Sequence, residues 1–398
     1  MVSEVTKKST IIGKLPADWR LQNIDELCEI LDSRRIPLNK EEREKIKGDI
    51  PYYGANGVLD HINDYIFDED LILMAEDGGY FTEYQTRPIA YRVKGKSWVN
   101  NHAHILKPKD YRSYDWIYYS LVHKNVLPFI SGGTRAKLNQ KELKKLPIAI
   151  PSIKEQLKIT KILTSIDDAI EKTEVIIEQT EKVKKGLMQQ LLTKGIGHTN
   201  FKETEIGEIP EEWEVLKMGD VIELVSGQSS SVKEVNKEGK GIGYVTGPEQ
   251  WNGKNIIENK WVEKPRKISP KNCFFITVKG SGTGTIFPGG PFAIGRDIMA
   301  IVPTKRIERS FLYYLTNLQA ERIVYNKVGM VPGISRGDIL DYQIGLPKEK
   351  EQREISIILE NLDNKLITEK RKLKVIKIIK KGLMQVLLTG IVRVKVDE

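Results

Sequence analysis

Asn101-His102-Ala103-His104 places two imidazoles at i and i+2. On a strand they face one side, a spacing open to a metal pair or to a hydrogen-bonded or ligand-facing pair. Gly280-Ser281-Gly282-Thr283-Gly284-Thr285 has the glycine content of a phosphate cradle. A nucleotide loop would need Gly-x4-Gly-Lys-Ser/Thr, and no Lys follows the last Gly, so the stretch reads as a structural turn. Glu142-Leu143-Lys144 has the Glu-x-Lys form found where nucleases bind metal, but such strings are common by chance in a Lys/Glu-rich chain. No Pro-Pro occurs anywhere, which removes the Asn/Asp-Pro-Pro-Tyr/Phe string that an adenine methyltransferase uses to hold a flipped base. Cys28 and Cys273 stand far apart, too few for a disulfide framework or a cysteine-based zinc site. The residue types offer no catalytic constellation; what they offer is polar side chains in loops, and the elements that carry those loops decide the reading.

Those elements must fill 398 residues, enough for roughly two to three domains. Net charge is +9, which permits a polyanion partner without requiring one. The excess is spread out. Residues 20–150 hold 20 basic and 19 acidic side chains, and residues 214–347 hold 18 and 13. With no polybasic tail, any polyanion site must be a folded surface. No run of 18 apolar residues suggests a transmembrane helix, and Met1–Thr10 lacks the apolar stretch of a secretory signal; a cytoplasmic protein is expected.

The chain is written twice. Leu15-Pro16-Ala17-Asp18-Trp19 recurs as Ile209-Pro210-Glu211-Glu212-Trp213, offset by 194. Pro151 with Glu155-Gln156 recurs as Pro347 with Glu351-Gln352, Ile166-Asp167 as Leu362-Asp363, and Lys185-Gly186-Leu187-Met188-Gln189 as Lys381-Gly382-Leu383-Met384-Gln385, all offset by 196. Between these marks lies an apolar seam with steps alternating between four and three: Ile159, Leu163, Ile166, Ile170, Thr173, Ile177, Thr180, Lys184, Leu187, Leu191, repeated from Ile355 to Leu387. Each copy predicts a helix of about 38 residues, ~57 Å long at 1.5 Å rise. A stripe that narrow cannot bury itself alone, so the twin helix is the expected partner in an intramolecular antiparallel coiled coil. Ser152-Ile153-Lys154-Glu155 reads as a capping box, Asp168–Lys172, Glu178–Lys182 and Glu181–Lys185 as i,i+4 ion pairs on the solvent side, Gly195 and Gly390 as helix stops, and Gly186 and Gly382 as sites of close backbone approach.

The segments 20–150 and 214–347 do not resemble each other closely. Both read as mixed α/β. Asp70–Ala75 and Cys273–Val278 look like counterpart buried strands, and Tyr114–Tyr119 and Ser310–Leu315 like short helices. The expected organisation is an α/β domain over 1–150, a helix over 151–194, a second α/β domain over 195–347, and a helix with a tail over 348–398. The fold class is α+β with a pseudo-twofold repeat.

This plan resembles the specificity subunit of type I restriction–modification systems. The resemblance rests on the Leu/Ile-Pro-x-x-Trp motifs, the Pro-x3-Glu-Gln helix starts and the Lys-Gly-Leu-Met-Gln-x-Leu-Leu-Thr helix ends, joined by Tyr52-Tyr53-Gly54-Ala55-Asn56-Gly57 in the first domain. It implies a non-catalytic reader of double-stranded DNA. Two target-recognition domains, held apart by the two helices, would each bind half of a bipartite asymmetric sequence. The helices would also dock methyltransferase subunits, two by expectation, and restriction/motor subunits. S-adenosylmethionine, ATP and Mg²⁺ would belong to those partners, with no cofactor or metal in this chain. The assembled complex would be a DNA adenine methyltransferase and an ATP-dependent endonuclease. A free-standing sequence-specific DNA-binding regulator is the alternative.

Base edges are read in the major groove by hydrogen-bonding side chains, whereas phosphate contacts give affinity without sequence information. The candidate DNA-binding residues are therefore polar loop residues. In the first domain they are Asn56, Asn101, His102, Thr134, Arg135 and Lys137; in the second, Gln228, Ser229, Ser230, Lys279, Ser281, Arg296, Ser335 and Arg336. Trp19 and Trp213 read as anchors that pack each domain on a helix, and Tyr52 and Tyr53 as core residues or stacking platforms.

Overall fold

A computed structural model describes residues 7–11, 13–131, 136–280, 282–325 and 333–395, with only the backbone described for residue 7 and for 321–325. The chain divides into two compact units, one formed by 1–174 with 372–398 and the other by 175–371. Each unit therefore holds one α/β domain, the start of one long helix and the end of the other.

Ile153–Lys194 and Glu349–Leu387 are the two long helices. All ten predicted seam positions of each are buried or half-buried. Thr173 and Thr180 sit in the first seam with hydroxyls donating to the carbonyls of Ala169 and Ile176, at 2.6 and 2.7 Å, so their polar atoms are satisfied within the helix. In the first unit the helix segments run antiparallel, with Asp167 on Lys380 at 2.5 Å and Glu174 on Lys377 at 2.7 Å. In the second unit the repeat-related pairs Asp363–Lys184 and Lys370–Glu181 stand at 2.5 and 2.7 Å.

Three local expectations change. Ser152 caps the first helix, its Oγ accepting from the Glu155 N–H at 3.3 Å. The Glu155 carboxylate does not return to Ser152, however, because Trp19 and Arg393 hold it. Glu181 pairs across to Lys370 rather than along its own helix to Lys185. Gly186 and Gly382 are exposed, and a Cβ built on either meets nothing within 4 Å, so no close backbone approach explains them. Gly195 and Gly390 do end the helices, with φ of +66° and +65°.

The two α/β domains share the topology of one four-stranded sheet. The first contains a sheet ordered Cys28–Ile30, Ala103–Pro108, Leu71–Ala75, Ala90–Val93, and the second a sheet ordered Ile222–Ser226, Ile298–Pro303, Phe274–Thr277, Ile286–Pro288. All six pairings are antiparallel. Leu71–Ala75 and Phe274–Thr277 take the same place and are wholly buried. A second sheet in each domain carries one parallel pair, Tyr52–Tyr53 beside Trp98–Val99 and Tyr244–Val245 beside Ala293–Ile294. Helices Tyr114–Val122 and Arg309–Tyr325 occupy the predicted helical segments. Tyr52 is buried, its hydroxyl accepting from the Leu38 N–H at 2.8 Å; Tyr53 is half-buried against the core.

Candidate nucleic-acid interface

The repeated motifs build anchors. In the first unit Trp19 is fully buried, and its Nε1–H donates to Glu155 Oε2 at 3.1 Å. Arg393 completes the anchor, donating from Nε to Glu155 Oε1 at 2.7 Å and from Nη1 and Nη2 to Asp18 at 2.9 and 2.7 Å. The paired guanidinium holds the Asp18 carboxyl below the usual range. In the second unit Trp213 Nε1–H meets Glu351 Oε2 at 3.1 Å, and His198 Nε2 meets Glu351 Oε1 at 2.8 Å. Gln156 and Gln352 donate to the carbonyls of Pro151 and Pro347, at 3.0 and 2.8 Å. The repeated Trp, Glu and Gln therefore fix each domain to the start of a helix.

In the first domain three candidates converge on the segment that leaves strand Leu71–Ala75. The Glu76 N–H donates to the His102 carbonyl at 2.9 Å, and the Leu138 N–H to the Glu76 carbonyl at 2.8 Å. Asp77 forms a backbone bridge with Lys137. Upon this frame Asn56 Nδ2 donates to the Gly78 carbonyl at 3.0 Å, His102 Nδ1 donates to Asp77 Oδ1 at 2.7 Å, and Lys137 Nζ lies 2.8 Å from Glu76 Oε1. Asn101 is exposed beside them, and its carbonyl accepts from Arg35 at 3.4 Å. Thr134 and Arg135 lie outside the described residues.

Beneath this surface is a buried charge cluster. His104 is fully buried, with Nδ1 at 2.7 Å from Asp32 Oδ2 and Nε2 at 2.7 Å from the Leu138 carbonyl. Burial pushes the Asp32 carboxyl up, but His104, the Ile105 N–H and Arg35 outweigh it and hold it below its ordinary value. Glu76 is likewise raised by burial and brought down further by Lys137 and Arg35. Asp32, Glu76 and His104 offer ligand atoms within 4.8 Å of one another. A metal would need a free imidazole nitrogen, and both nitrogens of His104 already have partners. His102 and His104 do not form a ligand pair: the first is half-exposed on Asp77, the second buried on Asp32.

The second domain repeats the frame with other side chains. The Val278 N–H donates to the Asp297 carbonyl at 2.8 Å, the Ile334 N–H to the Val278 carbonyl at 2.9 Å, and Lys279 bridges Gly333. Gln228, Lys279 and Arg296 are exposed. The Gln228 N–H donates to the Ile294 carbonyl at 2.9 Å, the Ser230 N–H to Tyr244 Oη at 3.3 Å, and Ser229 Oγ accepts from the Arg296 N–H at 3.3 Å. Ser335 caps helix Arg336–Leu340, its side chain accepting from the Asp338 N–H. Arg336 Nη1 donates to the Leu224 carbonyl at 2.9 Å and to Ser226 Oγ at 3.3 Å. Both serve local structure. Ser281 lies outside the described residues.

A family profile described as "Type I restriction modification DNA specificity domain" matches residues 16–182 and again residues 210–377. The chain belongs to this family. Each specificity domain, as matched, contains one Pro-x-x-Trp anchor, one pair of four-stranded sheets and most of one long helix. The family is non-catalytic. The chain is similar to the type I restriction enzyme MjaVIII specificity subunit of Methanocaldococcus jannaschii, 26% identical over 96% of this chain and 95% of that one, and to the MjaIX specificity subunit of the same organism, 26% identical over 98% of both. Its fold is similar to that of the type I restriction-modification S subunit from M. genitalium, with a TM-score of 0.60 at 19% identity over 93% of this chain and 96% of that one.

Asp77, Arg35, Arg393 and His198 were not marked by the sequence. Asp77 precedes two glycines and looks like turn chemistry, and Arg393 and His198 fall in short segments after the helix-ending glycines Gly390 and Gly195.

Proposed function

We propose that this chain is the DNA-reading specificity subunit of a type I restriction–modification complex, with each specificity domain reading one half of a bipartite asymmetric site in double-stranded DNA. The observation that carries the reading is the tandem family match, set beside two domains that share one sheet topology and whose matching loop frames present different side chains: Asp77 and His102 in one, Lys279 and Arg296 in the other. A shared local frame with dissimilar polar rims suits two readers of different sequences, because the major groove is read by donor and acceptor pattern. The long helices supply geometry and docking for methyltransferase subunits, two by expectation, and for restriction/motor subunits. S-adenosylmethionine, ATP and Mg²⁺ then belong to those partners, which make the complex an adenine methyltransferase and an ATP-dependent endonuclease. Among the described residues no helix is long and apolar enough to cross a membrane, and a complex that acts on chromosomal DNA would work in the cytoplasm.

The test is co-expression with a cognate methyltransferase subunit, followed by mapping of methylated adenines across the host chromosome. The expected result is one bipartite motif, methylated by the mixture and by neither protein alone. Sequence-specific binding by this chain that never couples to methylation would instead favour the free-standing regulator.

A further inference from the structure

His102 and Asp77 form a slot whose backbone is shared by both domains and whose side chains are not. In the first domain the Glu76 N–H meets the His102 carbonyl, the Asn100 N–H meets the Tyr53 carbonyl, and Asp77 bridges Lys137. In the second, the Val278 N–H meets the Asp297 carbonyl, the Gly295 N–H meets the Val245 carbonyl, and Lys279 bridges Gly333. Asp77 thus corresponds to Lys279 and His102 to Asp297, so a carboxylate is exchanged for an ammonium and an imidazole for a carboxylate on an unchanged frame. That is the pattern of a position free to vary in what it recognises.

The first slot is also rigid and oriented. His102 is held through its N–H, which donates to the buried Asn100 Oδ1 at 2.8 Å, and through its carbonyl. Its ring is 39% exposed and its Nδ1 lies 2.7 Å from Asp77 Oδ1, on a carboxylate only 14% exposed. An ionised carboxylate can only accept, so Nδ1 carries the proton. In its neutral form the ring then leaves Nε2 as a bare acceptor, its tautomer set by the partner of the other nitrogen.

We propose that His102, oriented by Asp77, is a specificity-determining residue that accepts a hydrogen bond at Nε2 from an exocyclic amino group in the major groove. It would select adenine or cytosine over the keto-bearing guanine and thymine at one position of the first domain's half-site. The amino N6 of adenine and N4 of cytosine donate where guanine O6 and thymine O4 accept. This inference rests on the proposed DNA-reading function and adds the chemistry of one contact to it.

The experiment maps the methylated motif of the complex carrying wild-type chain, His102→Ala, His102→Arg or Asp77→Asn. One base-specific hydrogen bond is worth about tenfold in discrimination. His102→Ala is expected to relax one adenine or cytosine position of one half-site by about that factor, with the other half-site unchanged as an internal control of folding. His102→Arg, which only donates, should shift that position toward guanine. Asp77→Asn, which no longer forces the proton onto Nδ1, should let keto bases in. If His102→Ala abolishes methylation altogether, Asp77→Asn and His102→Arg decide. Relaxation at a guanine or thymine, a uniform loss across all positions as expected of a phosphate contact, or an unchanged motif in all three variants would each overturn the proposal while leaving the subunit a DNA reader. A wild-type complex with no defined motif would instead remove the proposed function, and this contact with it.

Discussion

Asp167 and Lys380 meet at 2.5 Å in the first unit, and their repeat-related counterparts Asp363 and Lys184 meet at the same distance in the second. Around each aspartate a tyrosine of the α/β domain closes the contact, Tyr119 Oη on Asp167 and Tyr314 Oη on Asp363, both at 2.7 Å. Each carboxylate thus joins a long helix to the opposing helix segment and to the reader domain of its own unit. Burial comes first, and the neighbouring carboxylate adds to it, in pushing both phenols above their ordinary range. The two sites differ in one respect. Arg92 also reaches Asp167, at 3.3 Å, and among the described residues no arginine contact joins Asp363.

That difference orders the cost of removing each carboxylate. Asp167→Ala leaves Lys380, Arg92 and Tyr119 without their shared acceptor and is expected to destabilise the first unit by roughly 2 to 3 kcal/mol, less than for a fully buried pair because the charges are about a fifth exposed. Asp363→Ala should cost about 1 to 2 kcal/mol, since its pair is partly exposed and screened. Urea unfolding followed by hydrogen exchange in each unit measures both. Equal losses at the two sites would mean that Arg92 contributes nothing.

The anchors give a sharper contrast. Glu155 is 1% exposed and serves both the Trp19 indole and Arg393. Glu155→Ala strands a buried N–H and a guanidinium and should cost on the order of 3 kcal/mol. Arg393→Ala removes a partner that is itself a quarter exposed and should cost about half as much. Local exchange protection around Trp19 and the start of the first long helix is the readout. A loss confined to Arg393→Ala would place the anchor in the tail rather than in the repeated Glu.

Glycines that look alike in sequence behave oppositely in the fold. Gly186 and Gly382 are helical, exposed and free of neighbours, so Gly186→Ala and Gly382→Ala should each stabilise the chain by up to about 1 kcal/mol. Gly195 and Gly390 have positive φ, and a Cβ there would lie 2.3 Å from Glu351 Oε1 and 2.4 Å from Pro16 Cγ. Alanine at either should destabilise. Thermal unfolding of the four single variants separates the pairs by sign.

These pairs also show what can be read from residues alone. The seam from Ile159 to Leu191 and its copy were legible because coiled-coil burial selects residue types at fixed spacing. The Trp and Glu-Gln motifs were legible as repeats because their side chains make specific bonds, although the partner of Glu155 was not. The counterpart strands were legible as apolar runs, but the sheet order they share was hidden. Leu71–Ala75 and Phe274–Thr277 keep burial while changing identity, and the frame around Asp77 and Lys279 is held by backbone N–H and carbonyl groups that leave no mark in side-chain type. Candidates such as Ser335 and Arg336 were polar and near glycine, which is the signature of a cap as much as of a reading loop.

Acid should act on the first unit through Asp32. Its carboxyl titrates below the ordinary aspartate value of about 3.9 because the contacts with His104, the Ile105 N–H and Arg35 outweigh the opposing effect of burial. A carboxyl whose folded value is depressed binds fewer protons folded than unfolded. Its stabilisation is therefore complete above the unfolded value and is lost as pH falls below it toward the folded value. Glu76, lowered beside Lys137 and Arg35, adds in the same direction. The loop frame under Asp77 and His102 is expected to loosen as pH drops below about 4. Asp32→Asn removes the titrating group, so the variant should be less stable at neutral pH yet show a flatter decline in acid. Acid unfolding monitored by exchange at Ile105 and Leu138 compares the two slopes, and parallel curves would show that Asp32 is not the group through which acid acts.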